Sequence, residues 1–148
     1  MLRIRRAKPS DMEKVAVLEE KCFRYPYPRT LLHMLCALYP ELFLVAELGN
    51  EVVGYVSAVV KRGDVGHIVS ICVDPQYRRR GVGKRLMQEV ERVLVELFGV
   101  KSIRLEVRVS NIPAINLYKS LGYRIVDKLR NYYPDGEDAY VMYKNVKE

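Results

Sequence analysis

The sequence contains no long apolar run. None of its hydrophobic stretches approaches the ~18 residues that a membrane-spanning helix requires. The N-terminal residues from Met1 to Arg6 alternate aliphatic side chains with arginines, and they lack the apolar block of a secretory signal peptide. These absences exclude an integral membrane protein and predict a soluble protein of the cytoplasm.

Cysteine is scarce, and its pattern argues against pairing. Cys22, Cys36 and Cys72 form an odd set without any Cys-x-x-Cys spacing. We therefore expect neither a disulfide framework nor a zinc site, and no bound metal. Cys72 has no suitably spaced activating partner, so the sequence predicts a core residue there and not an acyl-carrying nucleophile.

The composition excludes general disorder and leaves one unusual feature, its charge. Hydrophobic residues make up 49% and charged residues 29% of the chain. A length of 148 residues predicts a single domain over residues 1–148. The net charge of +7 favours an anionic partner, which is a nucleic acid, an acidic membrane or a phosphorylated small molecule. Composition does not choose among these three.

Hydrophobic periodicity predicts alternating strands and helices in the order βααβββαβαββ. This order predicts the fold class α/β (α+β), a mixed sheet with helices packed against it. The expected strands lie around Leu2 and Ile4 and over residues 42–48, 52–61, 66–73, 103–109, 123–126 and 139–143. The expected helices lie over residues 12–22, 31–38, 82–97 and 111–121.

The connection between a strand and a helix over residues 73–84 carries the most chemical information. Three arginines lead from a strand to Gly81 and Gly83 at the start of a helix. Glycines let successive N–H groups converge, and a helix N-terminus adds free donors, so the segment predicts a phosphate seat. Arg85 stands where a Walker A loop needs Ser or Thr, and Leu86 stands where a dinucleotide fingerprint needs its third glycine. The alternative is a basic turn exposed to solvent.

Arg78-x-x-Gly81-x-Gly83 resembles the acetyl-CoA motif of the GNAT acetyltransferases. Residues 105–111, 114, 116–118 and 121–123 resemble the second half of that fold. The segment 132–140 resembles the C-terminal part of the protein N-terminal acetyltransferases, which include the archaeal Ard1-like and ribosomal-protein-alanine enzymes. The resemblance implies a mostly antiparallel mixed sheet, splayed between its fourth and fifth strands and flanked by about four helices. It also implies direct transfer of acetyl from acetyl-CoA to the free N-terminal amine of proteins.

The resemblance also assigns cofactor-binding residues. Backbone N–H groups of residues 79–84 would bind the CoA pyrophosphate. The end of the preceding strand, residues 71–73, would pair with the pantetheine arm. One N–H of the same strand would polarise the thioester carbonyl. The residues so assigned are Ile71, Cys72, Val73, Arg78, Arg79, Arg80, Gly81, Val82, Gly83, Lys84, Asn111, Asn116, Leu117 and Tyr118.

Three residues are the catalytic candidates by the same resemblance. Glu106 is the base, acting directly or through water, although its alternation with Leu105 and Val107 also fits a solvated strand residue. Tyr118 is the acid, because a phenol holds its proton at neutral pH; a ring packed on the sheet is the alternative. His67 would assist Glu106 or, with it, bind a divalent cation, and the alternative is an ordinary sheet residue.

The substrate side is predicted from aromatic residues. By resemblance, Tyr25, Tyr132 and Tyr133, together with His67, flank the incoming peptide; ordinary surface aromatics are the alternative. The Ard1-like pattern carries a glutamate two residues before the tyrosine of the first loop, where this chain has Phe23. No preference for a particular N-terminal sequence follows.

Other functions remain as alternatives. A lysine or small-molecule amine acetyltransferase would share the fold, but segment 132–140 argues against it. A basic nucleic-acid-binding or ribosome-binding module would need its basic residues on one face, whereas most arginines here are scattered. The expected partners are therefore protein or peptide N-termini, with ribosome association left open, no membrane and no specific nucleic acid. The chain is expected to be a monomer or weak dimer.

Overall fold

The computed structural model describes residues 1–147, which form seven β-strands and four α-helices in the predicted order. Short 3-10 turns lie at residues 9–11, 40–42 and 75–77. The strands are β1 (Leu2–Arg6), β2 (Phe43–Leu48), β3 (Glu51–Lys61), β4 (Val65–Val73), β5 (Ser102–Arg108), β6 (Arg124–Leu129) and β7 (Ala139–Asn145). The helices are α1 (Met12–Cys22), α2 (Arg29–Leu38), α3 (Val82–Glu96) and α4 (Ile112–Ser120).

The strands form one mixed sheet in the order β1-β2-β3-β4-β5-β7-β6. All neighbours are antiparallel except β4 and β5, which pair in parallel only over Val65–His67 and Ser102–Arg104. Beyond those residues β4 stays paired with β3, and β5 stays paired with β7 along its whole length. The two halves of the sheet therefore diverge, which confirms the predicted splay between the fourth and fifth strands.

Helices cover both faces of the sheet, as predicted. On the side called here the α3 face, Leu86 and Leu94 of α3 share a core with Ile103, and α4 adds to the same core. On the opposite α1 face, Leu18 of α1 shares a second core with Tyr55. None of the helices within residues 1–147 combines the length and apolar character needed to cross a bilayer.

A β-bulge changes which side chains β4 presents to each face. The register between β3 and β4 shifts by one residue, which leaves Val69 unpaired between Ile68 and Ser70. A bulge interrupts the strict alternation of side chains. Ile68 therefore packs into the core of the α3 face, while Cys72 packs into the core of the α1 face.

The structure corrects the expectation that the cysteines are unpaired. Cys22 at the end of α1 and Cys72 in β4 form a disulfide with Cα atoms 6.0 Å apart, and Cys36 is free. The expectation was wrong because it relied on an odd count and on short spacings. These partners lie 50 residues apart and meet only when α1 packs on the sheet. Cys72 is buried as predicted, but it is cross-linked.

Candidate active site

Free backbone donors lie where β4 gives way to α3. Gly81, directly before the helix, has φ +77°, and Arg79 has φ +65°, so the loop enters the left-handed region twice. Within the described part of the chain no side chain caps α3, and the Arg85 N–H donates to the Gly81 carbonyl. The N–H groups of residues 82–84 are therefore available to an anion at the positive end of the helix dipole.

Gly83 marks the point where α3, β4 and α4 converge. A Cβ at this position would lie 3.4 Å from Leu117 Cδ2 and 3.7 Å from Val73 Cγ2. The resemblance assigns α3, β4 and α4 to the cofactor, and the three elements thus meet at a residue without a side chain. The narrow space between Gly83, Leu117 and Val73, beside the free N–H groups of the helix, is called here the cradle.

The basic side chains of the loop have different environments. Arg78 turns back on the protein, where its Nε donates to the Val73 carbonyl at 3.2 Å. The Arg80 guanidinium lies 5.3 Å from the centre of the Tyr77 ring. Arg79, Arg80 and Lys84 are exposed. Arg78 therefore supports the loop, while the exposed side chains add positive charge around the anion seat.

The two asparagines predicted for the cofactor also differ. Asn111 is the N-cap of α4, and its Oδ1 accepts a hydrogen bond from the Ala114 N–H at 3.3 Å. Asn116 is exposed on the same helix. The structure thus gives Asn111 a capping role, and the cofactor contacts of both residues stay predictions.

Two polar side chains meet where β4 and β5 begin to diverge. His67 pairs with Arg104 at the end of the parallel ladder. Its Nε2 lies 2.8 Å from Oε1 of Glu106, and the Arg104 Nε donates to Oε2 of Glu106, also at 2.8 Å. The side chains of Glu106 and His67 are 10% and 15% exposed. Glu106 is therefore the centre of a half-buried charged cluster and not a solvated strand residue.

Glu106 is ionised at neutral pH. Burial raises its pKa, but the hydrogen bonds from His67 and Arg104 outweigh burial and hold the pKa below its ordinary value. An ionised carboxylate only accepts hydrogen bonds, so Nε2 of His67 carries the proton in this contact. In the neutral ring Nδ1 is then unprotonated, and it is buried without a hydrogen-bond partner among residues 1–147. The ring therefore meets the charged cluster through Nε2, where it positions the Glu106 carboxylate, and the role of Glu106 as the base stays a prediction.

The alternative role of His67 and Glu106 is to bind a divalent cation. Arg104 already occupies the second carboxylate oxygen of Glu106. Across residues 1–147 there is no group of three or more His, Cys, Asp or Glu side chains placed to hold a metal ion.

Tyr118 keeps its proton near neutral pH. Its ring is buried in α4 and meets the Tyr123 ring edge-on, with centroids 6.0 Å apart. Burial, and then the proximity of Tyr133, raises the pKa of Tyr118 above its ordinary value. The packing role and the acid role are compatible, because the ring packs while the hydroxyl retains a proton to donate.

Ion pairs connect the loop of residues 130–138 to β5 and to the loop of residues 23–28. Arg108 Nη1 lies 2.9 Å from Asp135 and 2.7 Å from Glu137, and its guanidinium lies 4.1 Å from the centre of the Tyr133 ring. Arg24 Nη1, in the loop after α1, lies 3.4 Å from Asp135. The Arg108 contacts therefore connect residues 130–138 to β5, and the Arg24 ion pair connects them to the loop of residues 23–28.

Tyr132 and Tyr133 lie near the charged cluster. Their rings meet edge-on with centroids 5.0 Å apart. Burial raises the pKa of Tyr132, and the negative charge of Glu106 raises it further. Burial, and then Tyr132, raises the pKa of Tyr133 to about 12. Their predicted contact with a peptide is consistent with this position and stays a prediction.

Tyr27, which the sequence analysis did not select, approaches the cluster more clearly than Tyr25. Tyr25 is exposed. Burial raises the pKa of Tyr27, and the nearby Glu19, Tyr132 and Glu106 raise it further. These neighbours place the Tyr27 hydroxyl among the groups of the candidate site.

Glu19 is a second residue that the sequence analysis missed. Its carboxylate is buried and accepts hydrogen bonds from the Tyr55 hydroxyl and, at 2.9 Å, from the Tyr27 N–H. Burial raises its pKa above the ordinary value. The available signal was an acidic residue on the same helical stripe as Val15 and Cys22, where an apolar residue is expected.

Comparisons with known proteins identify the family of this chain. The sequence profile of the Acetyltransferase (GNAT) family matches residues 12–123. An N-alpha-acetyltransferase of Sulfurisphaera tokodaii is 41% identical over 153 residues, which cover 95% of this chain and 90% of that protein. The structure of Ard1 from Thermoplasma volcanium superposes with a TM-score of 0.94 at 34% identity and covers 99% of both chains. That of the ribosomal-protein-alanine N-acetyltransferase from Escherichia coli superposes with a TM-score of 0.87 at 29% identity, covering 100% of this chain and 96% of that one. The chain therefore belongs to the GNAT family of acetyltransferases.

Proposed function

We propose that this protein is an acetyl-CoA-dependent N-alpha-acetyltransferase that transfers acetyl directly to the free N-terminal amine of proteins. The observation that carries the proposal is the opening between β4 and β5. Leu105 and Val107 belong to the core of the α3 face, so Glu106 between them points to the α1 face. The anion seat at Gly83 adjoins α4, which lies on the α3 face. Donor and acceptor can thus meet across one gap in the sheet.

The substrate class is inferred from the names of the relatives. The Sulfurisphaera tokodaii relative is named an N-alpha-acetyltransferase, and the Escherichia coli neighbour is named for a ribosomal protein. We include ribosomal proteins among the candidate substrates and infer a single cytoplasmic domain that acts as a monomer or weak dimer.

The residues around the gap fit acetyl-CoA, which supplies the acetyl group as an activated thioester when bound. The uncapped N–H groups of residues 82–84 suit its pyrophosphate, and the absence of a side chain at Gly83 leaves room for it. Residues 71–73 lie beyond the last pairing with β5, so this edge of β4 can pair with the amides of the pantetheine arm.

Proton transfer follows from the charged cluster. An N-terminal amine has a pKa of about 7.7–8.0, so part of it arrives protonated. The ionised Glu106 accepts that proton, directly or through water, while His67 and Arg104 hold its carboxylate in position. A backbone N–H of residues 71–73 polarises the thioester carbonyl. Tyr118, whose raised pKa keeps it protonated, donates a proton to the departing sulfur.

The first prediction concerns the position of the acetyl group. Incubation with acetyl-CoA and peptides that carry both a free N-terminus and an internal lysine will release CoA thiol. Mass spectrometry will place the acetyl group on the α-amine. The matched control is the same peptide with a blocked α-amine, for which thiol release will fall to background.

Other outcomes of this assay would support the alternatives. Acetylation of the blocked peptide at lysine would replace the N-terminal proposal with a lysine acetyltransferase. An absence of turnover, combined with tight RNA binding that weakens steeply with salt, would support a nucleic-acid-binding module.

The second prediction tests the cradle. Gly83→Val will raise the Kd of acetyl-CoA by about tenfold, because its Cβ already contacts Leu117 and Val73 and its two methyl groups will occupy the space beside the free N–H groups of the helix. Isothermal calorimetry gives the Kd, and circular dichroism verifies the fold. The control is Gln88→Val, on the exposed side of the same helix. An unchanged Kd for Gly83→Val would remove this cradle from the cofactor site.

A further inference from the structure

We propose that the Cys22–Cys72 disulfide holds the acceptor loop, residues 23–28, against the strand that binds the thioester, so that peptide binding depends on the redox state of this pair. The inference rests on the proposed function. It assigns the two cysteines as positioning residues, since neither side chain is required to touch the peptide.

The cross-link joins the two sides of the candidate site. Cys72 lies between Ile71 and Val73, whose backbone is assigned to the cofactor, and it is buried. Cys22 is the last residue of α1, and the acceptor loop begins at Phe23. The bond therefore connects the start of the acceptor loop directly to the donor strand, across a sequence separation of 50 residues.

The noncovalent contacts at the same junction are weaker. Lys21 Nζ lies 3.3 Å from Asp74, but the lysine side chain is 45% exposed, and exposed pairs contribute little. Arg78 Nη2 lies 3.7 Å from Cys22 Sγ. The far end of the loop is held by the bond from the Tyr27 N–H to the carboxylate of Glu19. Arg24 in the loop pairs with Asp135 at 3.4 Å, but its side chain is 72% exposed, so this pair also contributes little. Breaking the disulfide thus frees mainly the first residues of the loop, which are exposed from residue 24 onwards.

The reduced state is also compatible with the fold. Cys72 Sγ lies 3.2 Å from the Leu18 carbonyl oxygen, and Cys22 Sγ lies 3.5 Å from the Val73 carbonyl oxygen. After reduction each thiol therefore has a backbone acceptor within reach. The pair can open without leaving a buried donor unsatisfied.

Opening requires a dithiol reductant, of the thioredoxin class or dithiothreitol. One thiolate of the reductant attacks Sγ of Cys22, which is the less buried sulfur, and the electron pair of the broken S–S bond leaves on Cys72 Sγ, which takes a proton. The second thiol of the reductant then displaces Cys22 from the mixed disulfide. The dithiol is oxidised to a disulfide, and the two cysteines are reduced to thiols.

The kinetic test compares the oxidised enzyme with the enzyme reduced by dithiothreitol. Reduction will raise the KM for the peptide about three- to tenfold, the effect of ordering one or two more side chains on binding, with the Kd of acetyl-CoA changed less than about twofold. The double variant Cys22→Ala, Cys72→Ala will behave like the reduced enzyme and will not respond to dithiothreitol. The control Cys36→Ala will keep the full redox response.

Limited trypsin digestion tests the tether without any activity. Arg24 lies in the acceptor loop with its side chain 72% exposed. Reduction will accelerate cleavage after Arg24, identified by mass spectrometry, in the native enzyme and in Cys36→Ala but not in the double variant. If no peptide is acetylated in either state, the proposed function fails while the digestion still decides on the tether. Equal KM and equal cleavage in both states, or three free thiols in the unreduced denatured protein, would overturn the inference.

Discussion

Replacing Glu106 with glutamine will lower kcat by about 100-fold or more, the usual contribution of proton transfer by positioned groups, and will leave the Kd of acetyl-CoA within about twofold. The amide matches the carboxylate in shape but removes the negative charge that accepts the proton and that His67 and Arg104 hold in place. Steady-state kinetics gives kcat, and calorimetry gives the Kd. The matched control is Glu89→Gln, on the exposed part of α3, which will retain full turnover.

The pH profile separates the role of Glu106 from that of the amine. The pKa of Glu106 is lowered, so its charge is present above that pKa and is lost only as pH falls through it. The rise of kcat/KM around the amine pKa of about 7.7–8.0 therefore reports the amine, and Glu106→Gln will keep this rise at a reduced amplitude. Equal kcat for wild type and Glu106→Gln would exclude Glu106 from the mechanism.

Removing the disulfide will lower the free energy of unfolding by about 4 kcal/mol. The bond closes a loop with a sequence separation of 50 residues, and the loss of loop-closure entropy from the unfolded chain gives about this value. The double variant Cys22→Ala, Cys72→Ala, measured by guanidinium unfolding, tests it. Because the core of the α1 face also contains Leu18 and Tyr55, the variant will still fold.

Two controls isolate the contribution of the cross-link. Cys36→Ala removes a half-buried free thiol and will cost about 1 kcal/mol or less. Dithiothreitol will destabilise the native protein by nearly the same amount as the double variant, and it will not affect that variant further. A destabilisation as small as that of Cys36→Ala would show that the cross-link is absent in solution or contributes little.

Segments whose information is local were predictable from the sequence. The order of strands and helices followed from the apolar pattern, because burial on one face imposes a period of about two or 3.6 residues on most of these elements. The anion seat was also predictable from local sequence. The positive φ of Gly81 and the uncapped helix after it depend on only a few adjacent residues. The resemblance of these segments to GNAT acetyltransferases already contained the splay of β4 and β5.

Contacts between distant segments were decided only by the tertiary structure. Alternation placed Glu106 opposite Leu105 and Val107, but it gave no partner for its charge. His67, 39 residues earlier, reaches Glu106 because β4 and β5 are parallel neighbours at that point. Likewise, Tyr27 rather than Tyr25 approaches the cluster, because the buried Glu19 fixes its backbone.

The same distinction explains the cysteines. By itself the sequence determined the order of elements, the phosphate loop and the family, because each depends on short-range pattern and conformation. The tertiary structure decided that Cys22 pairs with Cys72. It also decided that Glu106 lies half-buried between His67 and Arg104, and that Arg24 connects two loops through its ion pair with Asp135. These depend on which surfaces pack together, and packing is set by the whole core rather than by neighbouring residues.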